Sequence, residues 1–197
     1  MSLVDRVKGI LLDPKAEWPR IAAEPATVQS LYTGWIMILS AVGPIMILVS
    51  SLLFASTLGF TSAFAVRAAV AAYVNSLVVV ALLALIVDVL APSFGGTKDY
   101  VRSLKLVAYS FTAAWVAQIA LIVPILGWLV VLAALIYGFY LFLLGAPVLG
   151  RCSADRVVPF TIVVVLCAIV VGIIVQRLLF AVLGFGTTVP GTMSMLR

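Results

Sequence analysis

The feature that most constrains this chain is a long run without a charged residue. Between Lys105 and Arg151 lie 45 consecutive residues with no Asp, Glu, Lys or Arg. As one continuous helix this run would be about 68 Å long at 1.5 Å per residue, whereas the hydrocarbon core of a bilayer is about 30 Å thick. Pro124 and Gly127 lie near its middle, and both residue types interrupt helices. The run therefore predicts two membrane-spanning helices joined by a turn at Pro124.

Three further charge-free intervals each have room for one span. They lie between residues 24 and 67, 67 and 88, and 156 and 177, and about 20 apolar residues are enough to cross the hydrocarbon core. Hydrophobic residues make up 65% of the chain and charged residues 10%. Soluble domains average about 45–50% and about 25%, and no soluble fold of this size can bury the excess. The predicted fold class is all-α, a polytopic transmembrane bundle of five helices.

The five spans are predicted to occupy residues 31–185, between an N-terminal arm of residues 1–30 and a short polar tail of residues 186–197. Within the arm, the segment from Ser2 to Leu12 has the spacing of a short amphipathic helix that stops at Asp13-Pro14. Its predicted apolar face consists of Leu3, Val7, Ile10 and Leu11, and its predicted polar face of Asp5, Arg6 and Lys8.

Trp18 and Arg20 are predicted to anchor this arm at the membrane interface, because an indole ring beside a cation is typical of residues at headgroup depth. The alternative is that the arm forms a cap packed on the end of the bundle.

The distribution of Lys and Arg predicts the orientation. With the N-terminus inside, nine basic residues fall on cytoplasmic segments and three on the opposite side, so the positive-inside rule favours N-in and C-out. These cations sit at the ends of apolar runs, which membrane topology explains better than a nucleic-acid-binding face. They are expected to attract anionic lipids on the cytoplasmic side. The inside set is Arg6, Lys8, Lys15, Arg20, Lys98, Arg102, Lys105, Arg151 and Arg156, and the outside set is Arg67, Arg177 and Arg197.

Asp88 is the only acidic residue inside an apolar run, and ionisable residues in membranes are costly enough to be candidates for function. It lies close to Pro92 near the end of its span, where a structural ion pair that holds the second loop is the favoured interpretation. A coupling or proton-relay role is the alternative. The candidate partners of its carboxylate are Lys98, Arg102, Lys105 and Arg151.

Asn75 and Gln118 are predicted to form interhelical hydrogen bonds rather than to bind a ligand. Asn75 and Asp88 lie on different faces of the second span, and both faces carry small residues, so this helix is expected to be central in the bundle. Three small-xxx-small pairs predict close helix contacts. They are Ala113 with Ala117, Ala134 with Gly138, and Ala168 with Gly172.

The chain contains no histidine, which removes imidazole metal ligands and the catalytic triads that need a histidine base. Cys152 and Cys167 would lie about 22 Å apart along a helix, too far for a disulfide. Cys152 is expected to be an ordinary exposed loop cysteine. We therefore predict no enzyme activity, no metal and no cofactor.

A succession of short motifs resembles the Yip domain family, the Ypt/Rab-interacting membrane proteins, and in particular its bacterial branch. The resemblance covers nearly the whole chain. The motifs are Asp13-Pro14 with Glu17-Trp18, Phe94-Gly95-Gly96, Val107-Ala108-Tyr109-Ser110, Pro124-Ile125-Leu126-Gly127, Tyr137, Gly145-Ala146-Pro147-Val148 and Val157-Val158-Pro159-Phe160.

The resemblance implies a five-helix fold with a cytosolic N-terminus and, for the bacterial branch, a multi-pass protein of the inner membrane. Eukaryotic relatives associate with Rab-type GTPases, but only about thirty residues precede the first span here, so a Rab partner is not expected of this chain.

Two functions remain open on the residues. The first is a non-enzymatic membrane protein that organises the bilayer or recruits a partner, either another protein or a second copy of itself. The alternative is a small-solute or ion transporter or channel, suggested by Asp88, Asn75 and the interrupted helices. An odd number of spans without an internal repeat weighs against transport.

Overall fold

A computed structural model describes residues 2–58 and 62–183, which fold into helices joined by short loops. The predicted tail, residues 186–197, lies outside the described residues. Two short helices come first, α1 (Leu3–Leu12) and α2 (Pro14–Ala23). The first span is built from α3 (Val28–Leu31), a π-helical turn (Tyr32–Ile36), α4 (Met37–Ser40) and α5 (Val42–Leu58). The other four spans are carried by α6 (Ser62–Leu90), α7 (Tyr100–Ala117), α8 (Pro124–Val148) and α9 (Val157–Val182).

Within residues 2–58 and 62–183, five helical segments are long and apolar enough to cross a membrane, which confirms the predicted number of spans. Many of their outward-facing side chains are large and apolar, such as Leu52, Trp128 and Leu178. Lipid contact accounts for this exposure, since a soluble surface would carry polar residues there. The segments are Val28–Phe54, Ser62–Phe94, Tyr100–Ile122, Leu126–Val148 and Ala154–Val182.

The long charge-free run folds back where it was predicted to do so. A 3-10 turn (Gln118–Ile122) ends the third span, and Pro124 is the first residue of α8. Proline fits this position because a helix needs no N–H donor there. Gly127 completes the turn, because a Cβ at this position would overlap the carbonyl group of Ala120.

The centre of the bundle is shared by two helices. The second span was predicted to be central, and α6 does pack against α5, α7 and α9. The third span is more deeply buried, however, with 56% of its most apolar stretch inside the protein against 33% for the second. The third span is more buried because α7 packs on both α6 and α8 and is also covered by α1 of the N-terminal arm.

Small residues create close helix contacts at some of the predicted pairs. A Cβ at Gly138 of α8 would lie 2.9 Å from the carbonyl oxygen of Ser110 in α7, so glycine permits this approach. Gly172 of α9 behaves differently, because no described atom lies within 4 Å of its Cβ position. The prediction that Ala168 and Gly172 mark a close contact is therefore wrong at Gly172, which borders a cavity instead.

The N-terminal arm contains a second helix that the sequence analysis did not identify. The Asp13 side chain accepts a hydrogen bond from the N–H of Ala16, and Pro14 begins α2, so the Asp-Pro pair both ends α1 and starts α2. The hairpin packs by α1 on α7 and by α2 on α8. Ile10, Trp18 and Ile21 enter the main core there.

Candidate functional site

Charged residues concentrate at one end of the bundle, which we call the basic end. It comprises α1, α2, the α6–α7 loop and the α8–α9 loop. All seven acidic residues of the chain belong to these segments or to the helix ends beside them, together with nine of its twelve cations. Two groups organise them. We call Arg6, Glu17, Glu24 and Lys105 the arm clamp, and Asp88, Asp99, Ser103 and Arg151 the loop clamp.

The arm clamp is centred on Glu17, whose side chain is 1% exposed. Its Oε1 lies 2.6 Å from Nη1 of Arg6, and the other Arg6 terminal nitrogen pairs with Glu24. Gly9 makes this possible, because a Cβ there would lie 2.8 Å from Cδ of Glu17. The prediction that Arg6 points away from the apolar face of α1 is wrong, since Arg6 is buried. Burial lowers the pKa of Arg6, but the hydrogen bond to Glu24 and the nearby charges of Glu24 and Glu17 act together against it, so that the pKa is raised overall.

Lys105 joins the arm to the third span. Its Nζ donates 2.7 Å to the carbonyl oxygen of Ile21 and also donates to the carbonyl oxygen of Glu24. The last carbonyls of a helix lack intrahelical donors and carry the negative end of the helix dipole. A buried ammonium group from α7 therefore caps α2 and fixes the hairpin to the bundle.

Trp18 is placed differently from its predicted role as a headgroup anchor. Its indole is fully buried, edge-on to Tyr109 at 6.3 Å between ring centroids. A Cβ at Gly145 would lie 2.6 Å from the Trp18 ring, so α8 approaches it closely. Arg20 remains exposed, with its Nη1 3.2 Å from Oε2 of Glu17. Trp18 thus packs the arm as a cap on the bundle, the alternative that the sequence left open.

The loop clamp brings Asp88 together with one of its four candidate partners. Oδ1 of Asp88 lies 3.6 Å from Nη1 of Arg151 and accepts a 2.6 Å hydrogen bond from the N–H of Asp99. The fully buried Arg151 guanidinium also donates to the carbonyl oxygens of Leu149 and Asp99 and to Ser103. Burial lowers the pKa of Arg151, opposed by the charges of Asp99 and Asp88. One cation thereby ties the end of α6 to both loops.

The other three candidate cations lie outside this contact, and Lys105 belongs to the arm clamp. Nε of Arg102 lies 3.3 Å from Oδ2 of Asp99 at a half-exposed position. Lys98 is exposed and makes no ion pair within the described residues.

Backbone contacts between the two loops give the Phe94-Gly95-Gly96 motif a physical reason. Gly95 has φ +83°, which favours glycine, and a Cβ at Gly96 would overlap the carbonyl group of Arg151. The N–H of Ser153 donates 2.9 Å to the carbonyl oxygen of Phe94. Glycines therefore let the α6–α7 loop lie directly on the α8–α9 loop.

Cys152, expected to be exposed, is buried between these loops. Burial raises the pKa of its thiol to about 11. The neighbouring Arg151 does not produce a reactive thiolate, because the thiol stays protonated at neutral pH.

A cavity of about 250 Å³ lies in the membrane region, toward the end of the bundle opposite the basic end, and we call it the polar cavity because five polar residues contribute to its otherwise apolar wall. Its carboxamide groups come from three spans, and Trp115 Nε1 donates 2.9 Å to Oγ of Ser76 on its wall. The predicted interhelical hydrogen bond to Asn75 Oδ1 is not found among the described residues, where this buried oxygen has no partner. The Gln118 carboxamide oxygen instead rests on Gly43, where a Cβ would overlap it. The polar lining residues are Ser40, Asn75, Ser76, Gln118 and Gln176.

These features define a class, a five-helix integral membrane protein whose N-terminal helical hairpin caps one end of the bundle. The family model of the Yip1 domain matches residues 8–175, so the chain belongs to the Yip1 domain family. No curated protein and no solved structure matches the chain significantly.

Proposed function

We propose that this protein is a non-enzymatic, membrane-organising or partner-recruiting protein whose basic end is the docking surface. The observation that carries the proposal is the outward face of α1. Val4, Lys8 and Leu12 follow one another at four-residue spacing on this face, and Leu12 is 82% exposed. Cations and large apolar side chains together suit contact with a lipid surface or with a protein partner.

The arm clamp supports this proposal because it fixes α1 and α2 to the bundle, so that the outward face is presented in one orientation. The buried cations bind groups inside the protein and are not available to an outside partner. They are Arg6, Lys105 and Arg151. The exposed Lys8, Lys15 and Lys98 make no ion pair in the described part of the chain, and each would attract anionic lipid by about 1 kcal/mol near the surface.

Photo-cross-linking in native membranes tests the docking surface. A photoreactive amino acid at Lys8 is expected to yield a discrete cross-linked protein band, detected by immunoblotting. The matched control carries the same group at Arg67, an exposed cation near the opposite end. Equal protein products at both positions, or none at Lys8, would refute a partner-recruiting basic end.

The excess of cations at the basic end supports an N-in, C-out orientation in a bacterial inner membrane. A fluorescent protein that matures only in the cytoplasm is expected to be bright when fused before α1 and dark when fused after Arg197. Alkaline phosphatase, which requires export, should show the reverse pattern. A bright C-terminal fusion would contradict the proposed orientation.

Transport is the second candidate, favoured by the polar cavity. The position of Asp88 argues against ion coupling, because its carboxylate is held by Arg151 at the basic end and does not line the cavity. In liposomes, neither the wild type nor Asp88→Asn is expected to raise proton or solute flux above the protein-free background. Wild-type flux that Asp88→Asn abolishes would favour transport over the docking proposal.

A further inference from the structure

A second cavity adjoins the polar one and has a different character. It has a volume of about 440 Å³, within the range of about 300–1,000 Å³ that is typical of small-molecule sites. Its walls are formed by α6, α7, α8 and α9, and nearly all of its lining is apolar. The two cavities share five lining residues, so they lie directly side by side. The shared residues are Asn75, Val79, Phe111, Ala114 and Leu135.

This apolar cavity borders the lipid-facing surface between α8 and α9. Helix α8 packs mainly on α7 and α9 mainly on α6, which leaves a seam between the two helices. Leu135 of α8 and Ile169 of α9 line the cavity and are also exposed on the outer surface of the bundle. A molecule dissolved in the bilayer can therefore reach the cavity sideways, without passing through water.

Two residues that line the apolar cavity each carry a buried polar atom without a hydrogen-bond partner among the described residues. Ser110 is 4% exposed, and its Oγ has no hydrogen-bond partner among them. Asn75 Oδ1 is also buried and also has no hydrogen-bond partner among the described residues. A buried polar group without a hydrogen bond costs about 1–3 kcal/mol. Asn75 Oδ1 can only accept, so the complementary group must be a donor, whereas the Ser110 hydroxyl can donate or accept.

The polarity of the combined space follows the depth of the bilayer. The polar cavity lies near the ends of the third and fifth spans, where Gln118 and Gln176 contribute their carboxamides. The apolar cavity extends from it toward the middle of the bundle. No charged side chain lines either cavity within the described residues. A lipid in the bilayer leaflet opposite the basic end has the same orientation, with its head toward the membrane surface and its chain toward the bilayer centre.

We propose that the two cavities together bind one neutral single-chain amphiphile with a hydroxyl-bearing head group, which enters from the bilayer between α8 and α9. The head lies among the carboxamides, where its hydroxyl donates to Asn75 Oδ1, and the chain fills the space between α8 and α9. The Ser110 hydroxyl, on the wall of the apolar cavity, bonds the part of the molecule next to the head. This site lies apart from the docking surface and does not depend on it.

The test uses the full chain in phosphatidylcholine nanodiscs and a 1-monoacylglycerol with a photoreactive diazirine in its chain. Labelling is expected to saturate at one probe per chain and to map by peptide mass spectrometry to α8 and α9. Unlabelled 1-monooleoylglycerol should compete. Methyl oleate, which has the same chain and no hydroxyl, should compete at least tenfold less well. Equal competition by methyl oleate would overturn recognition of the head group.

Variants locate the site. Gly172→Leu is expected to reduce labelling at least tenfold, because its side chain enters the cavity without meeting protein atoms near the Cβ position. Gly34→Leu is the matched control, since Gly34 also has open space around its Cβ position and lies outside both cavities. It should leave labelling unchanged.

Ser110→Ala removes a hydroxyl that makes no bond to the described protein, so it should preserve or raise thermal stability. It should weaken probe binding about twofold to tenfold, the value of one hydrogen bond. Undiminished labelling of a folded Gly172→Leu, or equal affinity of the wild type and Ser110→Ala, would overturn the proposal.

Discussion

Arg151→Met is expected to lower the free energy of unfolding by about 3–5 kcal/mol, because it leaves the Asp88 carboxylate inside the protein without its cation. Methionine fills a similar volume, so the loss reports the missing charge and hydrogen bonds rather than a large cavity. The carbonyl oxygens of Leu149 and Asp99 lose a donor at the same time. Titration of the purified protein with sodium dodecyl sulfate in mixed micelles, followed by circular dichroism, measures the change.

Two variants separate the buried contact from charge in general. Asp88→Asn should cost less than Arg151→Met, since its side-chain oxygen can still accept from the N–H of Asp99 and the hydroxyl of Ser103. Arg156→Met removes an exposed cation of the same loop region and should leave the unfolding curve unchanged, as is usual for surface pairs. Wild-type stability in Arg151→Met would refute the loop clamp as a stabilising contact.

The five spans could be predicted because they depend on local information. A run of apolar residues as long as the bilayer is thick, and a proline between two such runs, are visible without tertiary structure. The sequence limited the partner of Asp88 to four candidate cations, but it could not show which of the four forms the ion pair. That choice depends on how two distant loops pack, which the close approach at Gly96 decides.

The buried ion pair of the arm clamp could have been predicted from the spacing of residues in α1 and α2, but it was not. Arg6 lies three residues after Leu3 and four residues before Ile10, so it shares their helical face, which is buried. Assigning it to the polar face followed its charge rather than its position. Glu17 and Ile21 of α2 are likewise four residues apart and both buried. A cation and an acid on two apolar helix faces are a pattern that predicts a buried pair.

No comparable sequence pattern predicts the two cavities. Asn75 and Gln118 were recognised as polar residues in spans, but whether their helices close around them depends on helix separation. Gly172 shows why small-residue spacing alone does not predict helix packing. A small-xxx-small pair predicts a contact whether or not a neighbouring helix is near enough to make it. Here α9 packs on α6 and leaves the Gly172 side open.

Arg6→Met is expected to release α1 and α2 locally without unfolding the spans. Glu17 would keep only Arg20, whose exposed side chain lies 3.2 Å away, and Glu24 would lose its arginine. Breaking a buried pair by removing one partner costs about 3–5 kcal/mol. Since each 1.4 kcal/mol is a factor of ten, amide hydrogen exchange in residues 3–23 should accelerate by about 100-fold or more.

The comparison between segments decides whether the clamp acts locally. Exchange in the middle of α7 should stay within about threefold of the wild type, because the spans keep their own packing and their lipid environment. Arg20→Gln is the control, since it removes the exposed cation from the same acid and surface pairs contribute about 0–1 kcal/mol. Equal acceleration in α1 and α7 would mean that the hairpin is part of one cooperative unit with the bundle. Unchanged exchange throughout would mean that Ile10, Trp18 and Ile21 hold the hairpin by apolar packing alone.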